Sequence, residues 1–483
     1  MAQKIVIDPV TRVEGHGKVT VQLDENNQVT DAKFHIVEFR GFERFIQGHP
    51  YWEAPVMVQR LCGICPVSHH LAAAKAIDQI VGVDPEDLSP TAQKIRKLLH
   101  FGQVFQSHAL HFFYLASPDL LFGAEADPLK RNVVGVAMEY PELAKKGILM
   151  RKFGQEIIKM TAGKRIHGII TTPGGVHKNI TVKERTYFLD DKDIPSVNTM
   201  IAWSLEIIDF IKDYHQKHKA FLDTFAAYPS GHLGLVKKEN GFLELYDGVM
   251  RAIDAEGNKT LNDIPNEAYN DYFYEGVEKW SYLKFPYLRH LGKEKGWNRV
   301  GPLARLNVCE GIETPLANKE WLDFKAVTGG QVNNMTMYSH WARLIEMLYC
   351  AEMMKELLED DELLGTDLVR KGERRSEGIG IIEAPRGTLI HHYEVDDKDR
   401  ITRCNLIVST THNNEPMNQA VKWVAANVLN GKSNITEGML NQVEVAIRAY
   451  DPCLSCATHA LGNMPLEITF YDHQGNLIRR MTN

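Results

Sequence analysis

Two pairs of cysteines with the spacing Cys-x₂-Cys stand near opposite ends of this 483-residue chain. Each pair is followed within four residues by a histidine, and the residues are Cys62, Cys65 and His69 near the N-terminus and Cys453, Cys456 and His459 near the C-terminus. Thiolates are soft ligands, which select zinc, nickel, copper(I) or iron–sulfur iron over magnesium or calcium. If the fold brings the two chain ends together, the four sulfur atoms can form a single metal site.

Structural zinc is the alternative to a catalytic metal, because four-sulfur ligation is common in zinc sites. Zinc ribbons usually keep their two halves close in sequence, whereas these pairs lie roughly 390 residues apart. A thioredoxin-like redox pair requires a βαβ context, and neither pair has one. The spacing therefore favours a metal site and leaves structural zinc open.

The composition is that of a globular protein, with 44% hydrophobic and 24% charged residues. A formal net charge of −7 and a pI near 6.3 argue against nucleic acid as a partner. No apolar run approaches the roughly 18 residues of a membrane span, and residues 1–8 lack a signal-peptide core. These features predict a cytoplasmic protein with no nucleic-acid partner and no membrane span.

Alternating residues at 18–23 and 32–39 predict a β-hairpin near the N-terminus. Apolar spacing over 91–115 predicts a long helix, and a stronger pattern over 338–359 predicts another. The apolar stripe of the second helix consists of Trp341, Leu344, Ile345, Leu348 and Ala351. The expected fold is α+β and predominantly helical, with a central bundle of long helices and a small N-terminal antiparallel β region.

The remaining elements lead to the second cysteine pair. Residues 230–300 are rich in glycine, asparagine and aromatics, which indicates a partly β insertion. Helices are expected at about 416–429 and 436–449, and Pro452 should end the latter before it reaches Asp451. Gly63 is expected to let the first pair turn both sulfurs the same way. The tail over 466–481 predicts a strand, a turn and a strand.

The residues around the cysteines carry a resemblance. Arg-Leu-Cys-Gly-Ile-Cys-x₃-His at 60–69 and Asp-Pro-Cys-Leu-Ser-Cys-x₂-His at 451–459 resemble the two signatures of nickel–iron hydrogenase large subunits. The similarity continues through Thr-Arg-Val-Glu-Gly-His at 11–16, Phe-Arg-Gly-Phe-Glu at 39–43 and Glu-Ala-Pro-Arg-Gly at 383–387. Within this family, the motifs resemble most closely those of the cytoplasmic, bidirectional, NAD-reducing enzymes. A respiratory complex I subunit shares the fold but lacks the four cysteines, so their presence excludes that reading.

The resemblance implies a Ni-Fe(CO)(CN)₂ centre that cleaves H₂ heterolytically. All four cysteines would ligate nickel, and Cys65 and Cys456 would also bridge to the iron. Glu14 would take the proton from Cys453, whereas without the family it would be interpreted as a surface or capping residue.

Four further residues receive roles from the same resemblance. Arg386 would lie above the open coordination position and Asp451 would hold it there. Thr410 would hydrogen-bond a cyanide, and His69 would donate to a bridging thiolate.

The family also implies a buried Mg²⁺, with ligands from Glu43, from the backbone carbonyl of Leu406 and from His459. Two positions depart from many respiratory relatives, which have aspartate at Ser107 and proline at Ser409. These two differences are expected to affect the rate of the enzyme and its tolerance of oxygen, but not the reaction that it catalyses.

The chain carries no route for electrons of its own. Cys309, Cys350 and Cys404 are too scattered to hold a cubane cluster and are expected to be buried apolar residues. Gly378-Ile-Gly-Ile-Ile-Glu383 begins like a dinucleotide fingerprint but has glutamate in place of the third glycine. The family supplies a diaphorase with FMN and NAD, and an iron–sulfur small subunit. NADP or a deazaflavin as acceptor, and a non-catalytic Cys₄-zinc subunit, remain alternatives.

Relatives are made with a C-terminal extension. The resemblance therefore predicts one domain over 1–459, with a β-rich region at 1–45 and a helical core at 46–459. Residues 460–483 would be removed by a maturation endopeptidase after chaperones insert nickel.

Overall fold

The computed structural model describes residues 3–458, 467–471, 474 and 477–482. Its strands are β1 Gln3–Ile7, β2 Gly17–Leu23, β3 Val29–Ile36, β4 Thr171–Thr172, β5 Gly175–Val176, β6 Gly231–Val236, β7 Val249–Ile253, β8 Lys259–Ile264, β9 Phe273–Gly276, β10 Phe285–Leu288, β11 Asn298–Arg299, β12 Glu377–Ala384, β13 Gly387–Val395, β14 Ile401–Ile407, β15 Glu467–Tyr471 and β16 Leu477–Thr482. Its helices are α1 Phe42–Ile46, α2 Ala54–Met57, α3 Pro66–Ile80, α4 Pro90–Leu110, α5 Ser117–Phe122, α6 Val133–Glu139, α7 Pro141–Ala162, α8 Val182–Leu189, α9 Val197–Lys217, α10 Lys219–Leu222, α11 Tyr269–Tyr272, α12 Gly292–Lys295, α13 Pro302–Val308, α14 Pro315–Ala326, α15 Ser339–Glu359, α16 Ser409–His412, α17 Asn414–Val424 and α18 Glu437–Arg448. The structure is 48% helical with several small sheets, which confirms the expected fold class.

The N-terminal hairpin is present as an antiparallel β2–β3 pair in which Val19 lies opposite Phe34. Both side chains are buried, so one face of the hairpin joins the core. The sequence pattern missed β1, which adds a third strand and pairs Ile5 with Val21. The expectation that the second strand reaches residue 39 is wrong, because β3 ends at Ile36.

Long helices form the centre of the molecule, where α4 packs against α7 and α15, and α15 also packs against α9. Helix α4 begins where the Ser89 hydroxyl accepts a hydrogen bond from Ala92 N, with Pro90 at its first position. The burial of α15 extends beyond the predicted apolar stripe, because every residue from 339 to 352 is buried. A helix with apolar contacts on all sides belongs to the interior rather than to an amphipathic surface layer.

The buried face of α15 includes an ionic cluster centred on Arg305 of α13. Its Nε and Nη2 atoms donate to the two carboxylate oxygens of Glu346, at 2.6 Å each. Its Nη1 atom donates to Glu383 at 2.7 Å and to the Ala384 carbonyl at 2.9 Å. All three charged side chains are fully buried. Arg305 thus pairs with two buried carboxylates through one positive charge and fixes the backbone that precedes Arg386.

We expect Arg305→Leu to lower the free energy of unfolding by about 3–5 kcal/mol, because it leaves Glu346 and Glu383 as buried charges without their cation. Chemical denaturation followed by circular dichroism measures this loss. Arg403→Leu is the control, since its ion pair with Glu394 is about 40% exposed on both sides and is worth at most about 1 kcal/mol. Equal losses in the two variants would contradict the assignment of Arg305.

The glycine-rich segment at 378–383 forms part of β12 and packs closely against α3. A Cβ atom on Gly380 would lie 1.9 Å from the Ala72 carbonyl oxygen, and one on Gly378 would lie 1.9 Å from that of Ala76. These glycines therefore allow the strand to approach the helix. Glu383, where a dinucleotide fingerprint has glycine, is paired with Arg305, so this segment serves packing.

The insertion at 230–300 is partly β as expected, with a sheet of order β11-β6-β7-β8 and a β9–β10 pair. Helices α17 and α18 confirm the two predicted elements before the second cysteine pair. The tail forms the antiparallel pair β15–β16, which confirms the predicted strand, turn and strand for its described residues. Across the described part of the chain, no helix has the length and apolar character needed to cross a membrane.

Candidate metal centre at the junction of the chain ends

The first cysteine pair lies between a 3₁₀ turn at Val58–Leu61 and the start of α3. The Cys62 sulfur accepts hydrogen bonds from the backbone N–H groups of Ile64 at 3.2 Å and Cys65 at 3.1 Å. These donors turn both sulfurs towards the interior. Gly63 does not adopt the left-handed conformation, and a Cβ there would meet no atom within 4 Å. The expected conformational role of Gly63 is therefore wrong, because the N–H···S bonds make the turn.

The second cysteine pair is attached to the N-terminal segment. Residues Glu14 and Cys453 form an isolated parallel bridge, and Leu454 N donates to the Glu14 carbonyl at 2.9 Å. Helix α18 ends at Arg448, and Asp451 has a positive φ of 52° just before Pro452. The predicted helix end is confirmed. Cys453 and Cys456 are thus presented from a turn that the proline enforces.

Arg40 joins the two halves of the site, and the sequence analysis did not assign it a role. Its guanidinium donates to the carbonyls of Leu61 at 2.7 Å and Arg60 at 3.0 Å, beside the first pair. Its backbone N–H donates to the Thr458 carbonyl at 3.0 Å, beyond the second pair. In the sequence, only the position of Arg40 within the Phe-Arg-Gly-Phe-Glu motif could have indicated this role.

The four thiols form one buried cluster. The sulfurs of Cys62 and Cys453 lie 3.4 Å apart and those of Cys65 and Cys456 lie 3.7 Å apart. All four ligand atoms lie within 4.8 Å of one another, and each residue is at most 5% exposed. These separations exceed a disulfide bond and approach the S···S distance of about 3.8 Å in a tetrahedral site with 2.3 Å metal–sulfur bonds.

The thiols differ in acidity. Hydrogen bonds from Cys453, Cys456 and Cys62, and one from His69, lower the pKa of Cys65 well below its usual value. Burial raises the pKa of Cys453 and of Cys456. The three cysteines outside the cluster are buried as expected, and burial raises the pKa of Cys309 to about 12.

A small cavity adjoins the sulfurs of Cys65, Cys453 and Cys456. Arg386 and Thr410 line it, together with His69, Ala384, Pro385, Leu389, Val408 and Ser409. Larger clefts of about 910 Å³ and 490 Å³ open elsewhere on the surface, but none of the cluster cysteines lines them. The chemistry is therefore confined to the small cavity.

Arg386 is held by Asp451, as the resemblance implies. Its Nε donates to the Asp451 carbonyl at 2.6 Å and its Nη2 to the carboxylate at 3.0 Å, with both side chains at most 3% exposed. Burial raises the pKa of Asp451, and the nearby Arg386 opposes this. The Arg386 Nη1 atom and the Asp451 Oδ2 atom are buried without a partner among the described residues. This orphaned donor beside the thiols fits a group bound in the cavity.

Thr410 and His69 also line the small cavity. The Thr410 hydroxyl oxygen accepts a hydrogen bond from Cys453 N at 3.1 Å, which leaves its proton free to donate into the cavity. His69, on the first turn of α3, lies beside Cys65, whose pKa it lowers. Ser409, one of the two departures, donates to the Gly387 carbonyl at 2.6 Å and so fixes the loop beside Arg386. The Ser107 hydroxyl is buried without a partner in the described part of the chain.

Glu14 contacts the second cysteine pair directly. Its Oε2 atom lies 3.0 Å from the Cys453 sulfur and accepts a hydrogen bond from Ser455 N at 3.1 Å. The Ser455 hydroxyl donates to Glu38 at 3.0 Å, and the other Glu38 oxygen pairs with His16. The His16 side chain is 68% exposed, and its hydrogen bond to Glu38 raises its pKa. The contacts connect a buried thiol to solvent through residues that the sequence analysis did not assign, namely Ser455, Glu38 and His16.

The expected magnesium ligands are brought together in part. Glu43 is buried at 3% exposure and accepts a hydrogen bond from Leu406 N at 2.9 Å. The third expected ligand, His459, lies outside the described residues. The geometry therefore places two of the three residues side by side.

Comparisons with known proteins agree with this geometry. The family model described as nickel-dependent hydrogenase matches residues 40–139 and 245–459, and one described as HoxL-like matches residues 4–39. The chain is 50% identical to the NAD-reducing hydrogenase HoxS subunit beta of Cupriavidus necator, with 99% of each chain covered. It is 41% identical to a chain of the vhc F420-non-reducing hydrogenase of Methanococcus voltae, with 98% of each covered.

Solved structures give the same result. A crystal structure of an NAD⁺-reducing [NiFe]-hydrogenase in the H₂-reduced state has a TM-score of 0.91 and 53% identity, and covers 95% of this chain and 99% of its own. The Ni-Fe-Se hydrogenase of D. vulgaris Hildenborough has a TM-score of 0.75 at 23% identity, covering 95% and 100%. The second similarity concerns the fold alone.

Proposed function

Because the chain belongs to the nickel-dependent hydrogenase family, we propose that it is the catalytic subunit of a cytoplasmic, NAD-linked nickel–iron hydrogenase. It would catalyse H₂ ⇌ 2H⁺ + 2e⁻ in either direction. The observation that carries this proposal is the buried cluster of four thiols, supplied by both chain ends and facing a cavity with a free arginine donor.

The residues present fit the metal centre. Cys62 and Cys453 would hold nickel alone, whereas Cys65 and Cys456 would hold both nickel and the iron with its carbon monoxide and cyanide ligands. When bound, the centre supplies the redox chemistry that cleaves H₂ heterolytically and takes two electrons from it, so that two protons are released. The Thr410 hydroxyl would donate to a cyanide, and the buried surroundings exclude water from the reacting atoms.

Arg386 is proposed to orient H₂ and its products at the open side of the centre. Its two hydrogen bonds to Asp451 fix the guanidinium plane and leave Nη1, at the wall of the cavity, without a partner among the described residues. A lysine keeps the charge, but its three N–H groups share one nitrogen and cannot span both Asp451 acceptors and the cavity as the planar guanidinium does.

We expect Arg386→Lys to lower H₂ oxidation by on the order of 10²-fold while nickel and iron stay bound, since a positioned donor of this kind is worth that much. The rate of H₂-dependent dye reduction, divided by nickel content, measures the effect. Lys94→Arg, at a surface ion pair with Asp360, is the control for charge-conserving substitution. A normal rate per nickel in Arg386→Lys would remove Arg386 from this role.

The proton is proposed to leave through Glu14. The Cys453 sulfur would receive it and pass it over the 3.0 Å contact to Glu14 Oε2. Ser455 holds this carboxylate and Glu38 side by side, because its backbone N–H donates to Glu14 and its hydroxyl donates to Glu38. The half-buried Glu14 would release the proton to solvent next to Glu38, which pairs with the exposed His16. A carboxylate beside the thiol provides the positioned base that such a transfer requires.

A Mg²⁺ ion held by Glu43, the Leu406 carbonyl and His459 remains part of the proposal. Oxygen ligands and waters suit this cation. The Glu43 carboxylate is buried beside Leu406, which supports two of the three ligands.

The electrons are proposed to pass first to an iron–sulfur small subunit, then to a flavin diaphorase that reduces NAD⁺. Two observations support this: none of the cysteines outside the cluster belongs to a second metal-binding group among the described residues, and a 50% identical relative is a subunit of an NAD-reducing hydrogenase. NAD as acceptor also supports the cytoplasmic location. Purified complex that reduces NADP or a deazaflavin in preference to NAD⁺ would move the proposal to another acceptor.

The test of the proposal is the metal content of the purified native complex, together with H₂-dependent NAD⁺ reduction. One nickel per chain, with iron beyond that of the small-subunit clusters and with NAD⁺ reduction, is the expected result. Zinc at one per chain without nickel, in protein made alongside its maturation machinery, would overturn the catalytic proposal in favour of a structural Cys₄-zinc subunit.

We further expect the mature chain to end at His459. An endopeptidase would remove residues 460–483 after nickel insertion, so the intact mass of the chain in active complex should match residues 1–459. Chains purified from cells deprived of nickel should keep the full mass of 54.8 kDa. A full-length chain in fully active complex would contradict the processing.

A further inference from the structure

A chain of hydrogen bonds runs from the thiol cluster into the core behind it. His69, which lines the small cavity together with Cys65, places its Nδ1 atom 3.1 Å from Nε2 of His391. The Nδ1 atom of His391 lies 2.7 Å from the hydroxyl of Tyr393. His69 is 1% exposed, and His391 and Tyr393 are 0% exposed. These three side chains form what we name the histidine relay: His69, His391 and Tyr393.

The fold explains why these side chains meet. His391 and Tyr393 are two residues apart on β13, so both point to the same face of the sheet. Helix α3 packs on this sheet and brings His69 to His391. His392 points to the opposite face, where its Nδ1 atom lies 2.7 Å from the hydroxyl of Tyr269. The same strand therefore carries two tyrosine–histidine bonds, one facing the thiols and one facing away.

The hydrogen bonds of the histidine relay all run in one direction, and Tyr393 is the first donor. Tyr393 has one O–H group, and His391 Nδ1 is the partner that the structure gives it in an apolar cluster. The hydroxyl must donate, because a buried donor without an acceptor is costly. Nδ1 of a neutral His391 is then an acceptor, and its proton resides on Nε2.

The same argument about donors and acceptors applies to the ring of His69. His391 Nε2–H donates to His69 Nδ1, so the proton of a neutral His69 resides on Nε2. Nδ1 of His69 is already engaged by His391. Nε2–H is therefore the ring group left to donate to the sulfur of Cys65, which lines the same small cavity as His69.

We propose that His391 and Tyr393 are positioning residues that fix the tautomer of His69 and aim its Nε2–H at the Cys65 sulfur. A donor held on a thiolate withdraws electron density from it, and such bonds tune the metal that the thiolate holds. The inference rests on the proposed function, since Cys65 is there the thiolate shared by nickel and iron.

The tautomer is tested in the full-length, metal-free chain, which separates this inference from the hydrogenase chemistry. Nitrogen-15 NMR of histidine-labelled protein distinguishes a protonated Nε2 from a protonated Nδ1. Wild type should show His69 protonated on Nε2. His391→Gln should keep this state, because its amide can accept from Tyr393 and donate to His69, whereas His391→Leu should lose it.

Tyr393→Phe is the second variant, since it keeps the ring and removes only the hydroxyl. It should partly shift His391 and His69 to the other tautomer. Tyr269→Phe is the matched control, because it removes the equivalent bond to His392 on the far face of β13 and should leave His69 unchanged. An unchanged His69 signal in both His391→Leu and Tyr393→Phe would overturn the inference, even if the chain proves to be a hydrogenase.

Infrared spectra of the holoenzyme measure how the hydrogen bond to Cys65 affects the metal centre. Loss of the donor to Cys65 makes the thiolate more electron-rich, so the carbon monoxide band should move to lower wavenumber in Tyr393→Phe and His391→Leu. The band should stay in place in His391→Gln and Tyr269→Phe. A shift in Tyr269→Phe as large as that in Tyr393→Phe would show a general effect of cavity formation and would refute the directed relay.

Discussion

Replacing Cys456 with alanine is expected to remove nickel from the protein and to abolish H₂ turnover. Cys456 is fully buried and lies 3.7 Å from the sulfur of Cys65, so it closes the cluster from the C-terminal side. Nickel then has three thiolates in a cavity shaped for four, and iron loses one of its two bridges. Loss of a hydrogen-bonding partner of a metal ligand already costs about 10- to 100-fold in affinity, so loss of the ligand should cost more.

The matched control is Cys350→Ala, which truncates another fully buried cysteine by the same atom. Cys350 belongs to none of the groups of metal-binding side chains among the described residues, so its truncation should leave the nickel content unchanged. Elemental analysis of purified complexes should find about one nickel per chain in the control and none in Cys456→Ala. Nickel retained at one per chain in Cys456→Ala would show that the metal lies elsewhere.

Replacing Glu14 with glutamine is expected to lower H₂ oxidation by about 10²- to 10⁴-fold, the usual contribution of a positioned proton acceptor. Glutamine matches glutamate in shape and still accepts the hydrogen bond from Ser455 N, but its amide cannot take a proton from Cys453. Nickel and iron should stay at wild-type content. The measurement is the rate of H₂-dependent NAD⁺ reduction per nickel.

Two comparisons isolate the proton step in this variant. Glu14→Asp keeps a titratable carboxylate but shortens its reach, so it should retain more activity than Glu14→Gln. Glu38→Gln removes the neighbouring carboxylate and should reduce the rate less, because the half-buried Glu14 meets solvent itself. Unchanged H₂ oxidation in Glu14→Gln would remove Glu14 from the route, whereas loss of nickel would assign it a structural role.

Local patterns predicted the elements that present the site. Alternation gave the β2–β3 hairpin, helical periodicity gave α4 and α15, and Pro452 ended α18 because the residue before a proline avoids the helical conformation. The patterns missed β1, which has too few residues to carry a signal of its own and is fixed by pairing with β2. They also missed that α15 is buried on every side, since burial of Arg343 and Glu346 depends on partners far along the chain.

The sequence by itself determined the ligand chemistry: four thiols in two short motifs, where fixed spacing makes each pair converge on one point. It also indicated Glu14, Arg386, Asp451 and Thr410, although only through their resemblance to a family. Tertiary structure alone decided which residues surround those thiols. His391 and Tyr393 lie on β13, whereas Arg40, Ser455 and Glu38 lie on other segments of the chain, and the contacts of these residues depend on how β13 packs on α3 and how the chain ends meet. Hydrogen bonds between residues hundreds of positions apart leave no periodicity or spacing in a single sequence, so only the folded chain reveals them.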